Sequence, residues 1–193
     1  MAKTETKDKI IEIGAELIRK KGFNNTGIQE ILNLAGVPKG SFYFYFKSKE
    51  DFGVELIKTY GNYFIAMMQK YFNEENLSGK EKLKNFFASR LNFMQEEDFS
   101  GGCPVGNLSQ ELGGINEVLR LELKKVFNTM TNLVARCISE SVESGEIKSE
   151  KDPGELAAFV LNSWEGALMR VKVDKSPFAL EQFEEITFNH LLN

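Results

Sequence analysis

The stretch from Pro38 to Lys49 concentrates aromatic, hydroxyl and basic side chains in a way that suits contact with a polyanion. Ammonium and hydroxyl groups can donate hydrogen bonds to phosphate oxygens and to the edges of bases. Phe42 and Phe46 are four residues apart, so on a helix they share a face and can pack inward. The side chains left to face outward and offer hydrogen bonds are Lys39, Ser41, Tyr43 and Tyr45, and Gly40 among them allows a close approach of the backbone.

Two short helices joined by a tight turn are needed to position these groups. Apolar spacing predicts helices at about residues 28–34 and 39–44, separated by the breaker sequence at 35–38. This arrangement is typical of a helix-turn-helix, in which the second helix lies in the major groove of DNA. It is also typical of an αα-hairpin whose aromatic side chains belong to a hydrophobic core. The spacing by itself leaves both interpretations open.

Phosphate contacts are predicted just outside the second helix. Thr26 and Gly27 begin the first short helix, whose N-terminal amides are placed to hold a phosphate, and Thr26 followed by Gln29 also fits an N-cap pattern. Lys49 adds a positive charge at the start of the following helix. Residues 1–58 carry a net charge of +2 and the remainder −6, so a polyanion would meet the N-terminal third.

The rest of the chain also shows helical periodicity. With 193 residues, 42% of them hydrophobic and 27% charged, the chain can bury a substantial core and needs no disulfide framework. Further N-cap patterns begin at Ser48, Ser78 and Asp152. The sequence therefore predicts an all-α fold of about nine helices. Their approximate bounds are 7–21, 28–34, 39–44, 49–71, 79–96, 104–112, 115–144, 153–173 and 177–192.

The N-terminal pattern closely resembles the DNA-binding domain of TetR-family transcriptional regulators. The resemblance covers about residues 7–60. It rests on Gly22-Phe23, Thr26, Ile28, Ile31, Ala35-Gly36-Val37, Lys39-Gly40-Ser41-Phe42-Tyr43-Phe44-Tyr45-Phe46 and Lys49-Glu50. The family pattern has a second Ser or Thr where this chain has Gly27, which removes one hydroxyl but keeps the backbone N–H.

The resemblance implies a helix-turn-helix domain at residues 1–50 and a ligand-sensing and dimerisation domain at residues 51–193. It implies a homodimer on a palindromic operator in double-stranded DNA, acting as a repressor that a small molecule or an electrophile releases. By the family pattern, Lys39 and Ser41 approach bases and Gly40 lets the chain come close. The residues implied to hold the DNA backbone are Thr26, Gly27, Tyr43, Tyr45 and Lys49.

The last two predicted helices carry more apolar surface than one domain can cover. Residues 156–161 are six consecutive apolar residues, so this helix should be buried on two sides. We expect both helices to pair with their copies in a second chain as a four-helix bundle, as the resemblance also implies. The alternative is that both belong to the core of a single chain.

A site for a small-molecule effector is expected among the fifth to eighth helices, where large apolar residues meet a few polar groups. The candidates are Phe86, Arg90, Phe93, Met94, Cys103, Asn107, Phe127, Met130 and Trp164. Aromatic and Met residues at helical spacing also suit a plain core. Arg90 is costly to bury without an anionic partner, so it would meet either a helix carboxylate or an anionic ligand.

The two cysteines differ in their surroundings. Cys137 shares an apolar stripe and is predicted to be a small buried hydrophobe. Cys103 lies between a Gly-Gly break and a helix start, where the positive end of the helix dipole lowers the pKa of a thiol. Its Gly-Cys-x-x-Gly-Asn context resembles a TetR subgroup that includes the N-ethylmaleimide reductase repressor, in which a cysteine at this place senses electrophiles. The alternative is a packed turn of small residues, and Pro104 departs from the pattern.

Other classes of function are not indicated by the sequence. The single histidine, His190, is not part of a metal-ligand spacing, and neither a phosphate-cradling glycine loop nor a nucleophile elbow is present. We therefore predict no catalytic residue, metal or cofactor. The absence of a long apolar stretch or a signal pattern predicts a cytoplasmic protein without membrane contact. The main alternative to a regulator is a helical ligand-binding or adaptor protein that does not bind DNA.

Overall fold

The computed structural model describes residues 3–193, and within that range the chain forms nine α-helices, which confirms the predicted all-α class. The helices are α1 (Lys3–Lys21), α2 (Ile28–Ala35), α3 (Lys39–Tyr45), α4 (Lys49–Phe72), α5 (Gly79–Glu96), α6 (Pro104–Leu112), α7 (Glu117–Glu143), α8 (Pro153–Asp174) and α9 (Phe178–Ile186). None of the helices in the described range is long and apolar enough to span a bilayer.

Three of the predicted N-caps are confirmed. The side chains of Ser48, Ser78 and Asp152 each accept a hydrogen bond from the backbone N–H three residues further on, at 3.0, 3.2 and 3.0 Å. Each bond satisfies one of the N–H groups that a helix leaves free at its start. Local side chains therefore set where α4, α5 and α8 begin.

The predicted N-cap at Thr26 is wrong. The N-cap of α2 is Gly27, which has no capping side chain. Thr26 is fully buried, and its hydroxyl donates a hydrogen bond to the carbonyl of Gly22 at 2.8 Å. The side chain therefore closes the turn before α2, because it finds an acceptor four residues back instead of an amide ahead.

The C-terminal helix differs from the prediction in its last turn. The prediction was one α-helix to residue 192, but α9 ends at Ile186 and the chain continues as a π-helical turn over Thr187–Leu191. The N–H of Leu192 reaches the carbonyl of Thr187 at 2.8 Å. Phe188 and Leu192 are both buried at this wider turn. The packing of these two side chains favours the π-helical turn, and an apolar pattern with a period of 3.6 does not distinguish that turn from an α-helix.

The chain forms two compact units. One comprises the described residues up to Asn62 together with Pro104–Val126, and the other comprises Tyr63–Cys103 together with Phe127–Asn193. Compactness therefore groups α6 and the first part of α7 with α1, α2 and α3. The functional boundary after residue 50 concerns which residues contact DNA and which sense an effector, and it stays a prediction.

The second unit is built around stacked aromatic side chains. The ring centroid of Phe87 on α5 lies 5.0 Å from those of Trp164 on α8 and Phe183 on α9, and 5.2 Å from that of Phe86. Such pairs add about 0.5–1.5 kcal/mol each beyond their buried area. This cluster holds α5, α8 and α9 together.

Candidate functional site

The turn between α2 and α3 depends on a glycine. Gly36 has a φ of 65°, in the left-handed region that side chains rarely adopt. Its N–H reaches the carbonyl of Asn33 at 3.2 Å, and the N–H of Val37 reaches that of Leu32 at 3.1 Å. These bonds end α2 and direct the chain into α3. The predicted helix-turn-helix therefore forms where the sequence places its breaker residues.

The inner face of α3 is fixed by an aromatic cluster. Phe42 and Phe46 are fully buried, with ring centroids 5.1 Å apart. Both rings pack on Phe52 of α4, at 5.8 and 5.2 Å. This confirms the predicted inward direction of the two side chains and sets the rotation of α3 about its axis.

The outer face of α3 carries the predicted polar groups and one aromatic ring that sequence reasoning missed. Among the predicted residues, Lys39, Gly40 and Tyr43 are exposed, while Ser41 and Tyr45 are half-buried. Phe44 is 62% exposed. Its position midway between the two buried phenylalanines was a usable signal, since that spacing places it on the opposite side of the helix. An exposed surface with an ammonium, a phenol and an apolar ring can contact phosphates and base edges.

The two residues predicted to hold a phosphate at the start of α2 are in different environments. Gly27 is exposed, and the space beside its Cα is open. A phosphate oxygen can take the place of the missing side-chain cap there. The buried Thr26 gives its hydroxyl proton to Gly22, so the geometry supports a role in holding the turn and does not support a direct contact of that hydroxyl with DNA.

Lys49 is held against the turn between α1 and α2. Its Nζ donates a hydrogen bond to the carbonyl of Asn24 at 3.2 Å and lies 4.8 Å from the ring centroid of Phe23. Burial lowers the pKa of Lys49, and the negative charge of Glu111 acts in the opposite direction. The ammonium is half-buried, and its placement on this turn is fixed by the protein.

Glu111, on α6, binds the same turn and was missed by sequence reasoning. Its carboxylate accepts hydrogen bonds from the N–H of Phe23 at 2.7 Å and from the N–H of Asn24 at 2.6 Å. The residues are 88 and 87 positions apart in the chain. A contact at that separation leaves no local pattern in the sequence.

The predicted effector residues are mostly packed in the second unit. Phe86, Met94, Met130 and Trp164 are buried, Arg90 and Phe127 are half-buried, and Phe93 is exposed. Phe86 and Trp164 belong to the aromatic cluster, which supports the alternative that they are core residues. Asn107 lies in the other compact unit, on α6. The effector-binding role of these residues stays a prediction.

Arg90 has no acidic partner among the described residues. Its guanidinium lies 5.1 Å from the ring centroid of Phe93, and its Nε donates a long hydrogen bond to Ser89 at 3.5 Å. Both neighbours are uncharged. Of the two partners predicted for Arg90, the helix carboxylate is not found among the described residues, and the anionic ligand stays a prediction.

Cys103 lies beside two charged groups on α8. It is 5% exposed and directly precedes α6, and its thiol forms a hydrogen bond with Glu165. Burial raises the pKa of Glu165, which this hydrogen bond opposes. The Oε1 atom of Glu165 has no hydrogen-bond partner in the part of the chain that the structure describes. Burial lowers the pKa of Lys172, which also interacts with the charges of Cys103 and Glu165. A thiol, a carboxylate and an ammonium therefore share one small region.

Sequence reasoning missed Glu165 and Lys172, although a signal was present. They are seven residues apart, so they share one face of α8, and the other residues on that face are mostly apolar.

Cys137 is fully buried, as predicted, and burial raises its pKa to about 11. It is therefore a protonated thiol at neutral pH. In the described part of the chain, no group of three or more His, Cys, Asp or Glu side chains is arranged to hold a metal ion.

Comparison with known proteins matches both parts of the chain to one family. Residues 10–56 match the family model described as bacterial regulatory proteins, tetR family. Residues 79–187 match the tetracyclin repressor-like C-terminal domain. The two matches together include α2 and α3, the start of α4 and the segments that carry Cys103, Glu165 and Lys172.

Individual relatives are similar over nearly the whole chain. The transcriptional regulator AcuR of Cereibacter sphaeroides is 36% identical over 95% of this chain and 84% of its own length. The HTH-type transcriptional repressor DhaR of a Mycobacterium species is 31% identical over 100% of this chain and 95% of its own. The crystal structure of the reduced form of E. coli NemR superposes with a TM-score of 0.87 at 25% identity, covering 95% of this chain and 96% of that one.

Proposed function

Because the chain belongs to the TetR family of bacterial transcriptional regulators, we propose that it is a homodimeric repressor of a palindromic operator, released when a small molecule or an electrophile acts on its C-terminal part. The name of DhaR, a transcriptional repressor, supports repression over activation. Release follows if the effector favours a dimer whose two α3 helices no longer match half-sites about 34–36 Å apart. The proposal contains no catalytic step.

One observation carries the proposal of operator binding: α3 exposes Lys39, Tyr43 and Phe44 while Phe42 and Phe46 anchor its other face. The test is selection of DNA from a random pool, followed by titration of the selected site at several salt concentrations. We expect a palindrome whose affinity falls steeply as salt rises, because phosphate contacts release counterions. Failure to enrich any sequence at modest salt would instead favour an adaptor protein.

Two substitutions on α3 should separate base contacts from backbone contacts. Lys39→Ala is expected to cost about 1–3 kcal/mol of operator binding and to relax sequence preference, since Lys39 is predicted to approach a base. Tyr43→Phe removes one hydroxyl and should cost about 0.5–1.5 kcal/mol on operator and random DNA alike. Both are measured by titrating the selected operator and a scrambled sequence of the same length.

Both side chains are exposed, so neither variant should change thermal stability, and each serves as the folding control for the other. Equal losses on operator and random DNA for Lys39→Ala would assign this side chain to the phosphate backbone. An unchanged affinity for both variants would mean that α3 does not face DNA.

The proposed dimer is supported by apolar side chains that the single chain leaves uncovered on α8 and α9. They are Phe159, Met169, Val173, Phe178 and Ile186. Exposed apolar side chains on these two helices suit a subunit interface. The self-pairing of the last two helices expected from the sequence would cover it.

The proposed response to an electrophile is supported by the groups around Cys103. The ammonium of Lys172 favours a negative charge on the nearby sulfur, and the carboxylate of Glu165 is placed to take up the thiol proton. In a conjugate addition to an activated alkene, Glu165 would take the thiol proton and the sulfur would bond to the electrophilic carbon as the C=C π bond breaks. The resulting enolate would then take that proton from Glu165, so the adduct is neutral. Thiol alkylation consumes no redox partner.

Alkylation by N-ethylmaleimide is expected to lower operator affinity through Cys103. The loss should be about 5–150-fold, the usual range of coupling between two sites. Cys103→Ser should abolish this response and leave the untreated affinity unchanged. Cys137→Ser is the matched control and should respond to N-ethylmaleimide as the wild type does. Cys137 is fully buried with its pKa raised to about 11, so it should stay unmodified. Mass spectrometry of the treated protein identifies the modified thiol.

Release that persists in Cys103→Ser would assign the response to another nucleophile, with Cys137 the first to test. No release of the wild type would point to a reversible ligand elsewhere in the C-terminal part. The half-buried Arg90, which has no carboxylate partner in the described range, would then be the first residue to test with anionic ligands. Modification of Cys103 without any change in operator affinity would assign the cysteine to packing.

A further inference from the structure

We infer that Glu111 is a positioning residue for DNA binding, which acts by holding the turn between α1 and α2 in the shape that presents Gly27 and Lys49 to phosphates. This inference rests on the proposed operator-binding surface. Glu111 is not among the residues predicted to contact DNA. Its effect would pass through the backbone of the turn.

The first support is the geometry of the carboxylate. Each of its two oxygens binds one backbone amide, that of Phe23 at 2.7 Å and that of Asn24 at 2.6 Å. These are charge-assisted hydrogen bonds, which are stronger and more directional than neutral ones. Gly22 leaves the space that the carboxylate needs, because a Cβ there would lie only 2.9 Å from a Glu111 oxygen. The pairing is therefore built into both segments.

The second support is that the same turn is held from its other side. Lys49 donates to the carbonyl of Asn24 at 3.2 Å and covers the ring of Phe23. A carboxylate on the amides and an ammonium on the carbonyl restrain both sides of the same two residues. The chain then passes through the buried Thr26 to Gly27, the open N-cap of α2. Displacing Glu111 would therefore disturb Lys49 and the start of α2 together.

The charge of Glu111 by itself opposes DNA binding. Removing a carboxylate close to a phosphate-binding surface reduces repulsion and should raise affinity. A loss of affinity in a folded variant would therefore point to lost positioning of the turn, because the direct charge effect has the opposite sign. This opposition of signs lets one experiment separate the two effects.

The experiment compares three variants of the full chain on the selected operator and on random DNA. Glu111→Gln removes the charge and leaves one oxygen acceptor for two amides. Glu111→Asp keeps the charge and shortens the reach by one CH2. Glu117→Gln is the matched control, because it removes a carboxylate of the same unit that binds Arg120 on its own helix. Hydrogen exchange of the Phe23 and Asn24 amides is measured in each.

We expect Glu111→Gln to speed exchange of both amides and to weaken binding to operator and random DNA by about tenfold, which corresponds to about 1.4 kcal/mol. Glu111→Asp should show the same two changes, and it carries the test if the Gln variant does not fold. Glu117→Gln should bind as the wild type does, or slightly more tightly. Faster amide exchange with unchanged DNA affinity would overturn the inference, as would unchanged exchange. A wild-type protein that binds no DNA would overturn the proposed function itself.

Discussion

Replacing Phe42 with alanine is expected to lower the free energy of unfolding by about 3–5 kcal/mol. Operator binding should be lost at temperatures where the unit that contains α3 is then unfolded. Phe42 is fully buried, and its ring lies 5.1 Å from Phe46 and 5.8 Å from Phe52. The truncation removes one of three mutually packed rings and leaves a cavity between α3 and α4. Total stabilities are only about 5–15 kcal/mol, so a loss of this size is a large fraction. Urea unfolding and operator titration measure the two effects.

Phe44→Ala is the matched control for this prediction. It makes the same chemical change two residues along the same helix, at a side chain that is 62% exposed. Its stability should stay within about 0.5 kcal/mol of the wild type, while operator affinity falls because the ring is lost from the outer face of α3. Equal destabilisation by both substitutions would show that α3 is rotated from the orientation described.

The faces of α3 were predictable because they depend on spacing alone. Phe42 and Phe46 are one helical turn apart, and their burial follows from that period once the segment is a helix. The caps at Ser48, Ser78 and Asp152 were predictable for the same reason, since each bond joins residues three apart. Interactions within one turn of a helix leave a direct trace in the sequence.

The turn before α2 was mispredicted because two interpretations compete for one hydroxyl. Thr26 can cap the helix ahead or bind the carbonyl behind, and both are local. The choice depends on the geometry of the turn, in which Glu111 accepts hydrogen bonds from the amides of Phe23 and Asn24. Glu111 binds the turn from almost ninety positions away, and no pattern near Thr26 contains that contact.

The surroundings of Cys103 show the same limit. Its position before a helix was visible in the sequence, but its burial and its bond to Glu165 arise from the packing of α8 in the same unit. The helix dipole predicts a negatively charged sulfur, and the neighbouring carboxylate opposes it. Glu165 and Lys172 therefore act on the thiol in opposite directions, and the alkylation experiment tests whether Cys103 reacts in these surroundings.

A single charge on the exposed apolar face of α8 is expected to weaken operator binding strongly in a chain that remains folded. Phe159→Glu should convert the dimer into a monomer, because it would place a carboxylate in an apolar interface without a partner. A protein that contacts both half-sites at once gains about 10²–10⁴-fold in affinity over one that contacts a single half-site. Operator affinity should therefore fall by a factor in that range. Analytical ultracentrifugation gives the oligomeric state of the same samples.

Helical geometry and exposure support this choice of residue. Phe159, Met169 and Val173 fall within about 80° of one another around α8, so they form one stripe. Phe159 is 57% exposed in the single chain, and Phe178 on α9 is 64% exposed. The opposite side of α8 is already used, because Trp164 and Val171 are buried in the core of the same unit. The exposed stripe can therefore pack against a second chain, which would bury α8 on two sides as the sequence predicts.

Tyr63→Glu is the matched control, since it places the same charge at a side chain that is 71% exposed on α4. It should leave both the oligomeric state and operator affinity unchanged. Random-DNA affinity per chain should be similar in Phe159→Glu and the wild type, because each α3 keeps its own phosphate contacts. A monomer that retains random-DNA binding and loses the operator locates the defect in the pairing of half-sites. A dimer that persists would place the interface elsewhere and leave the apolar stripe to another partner.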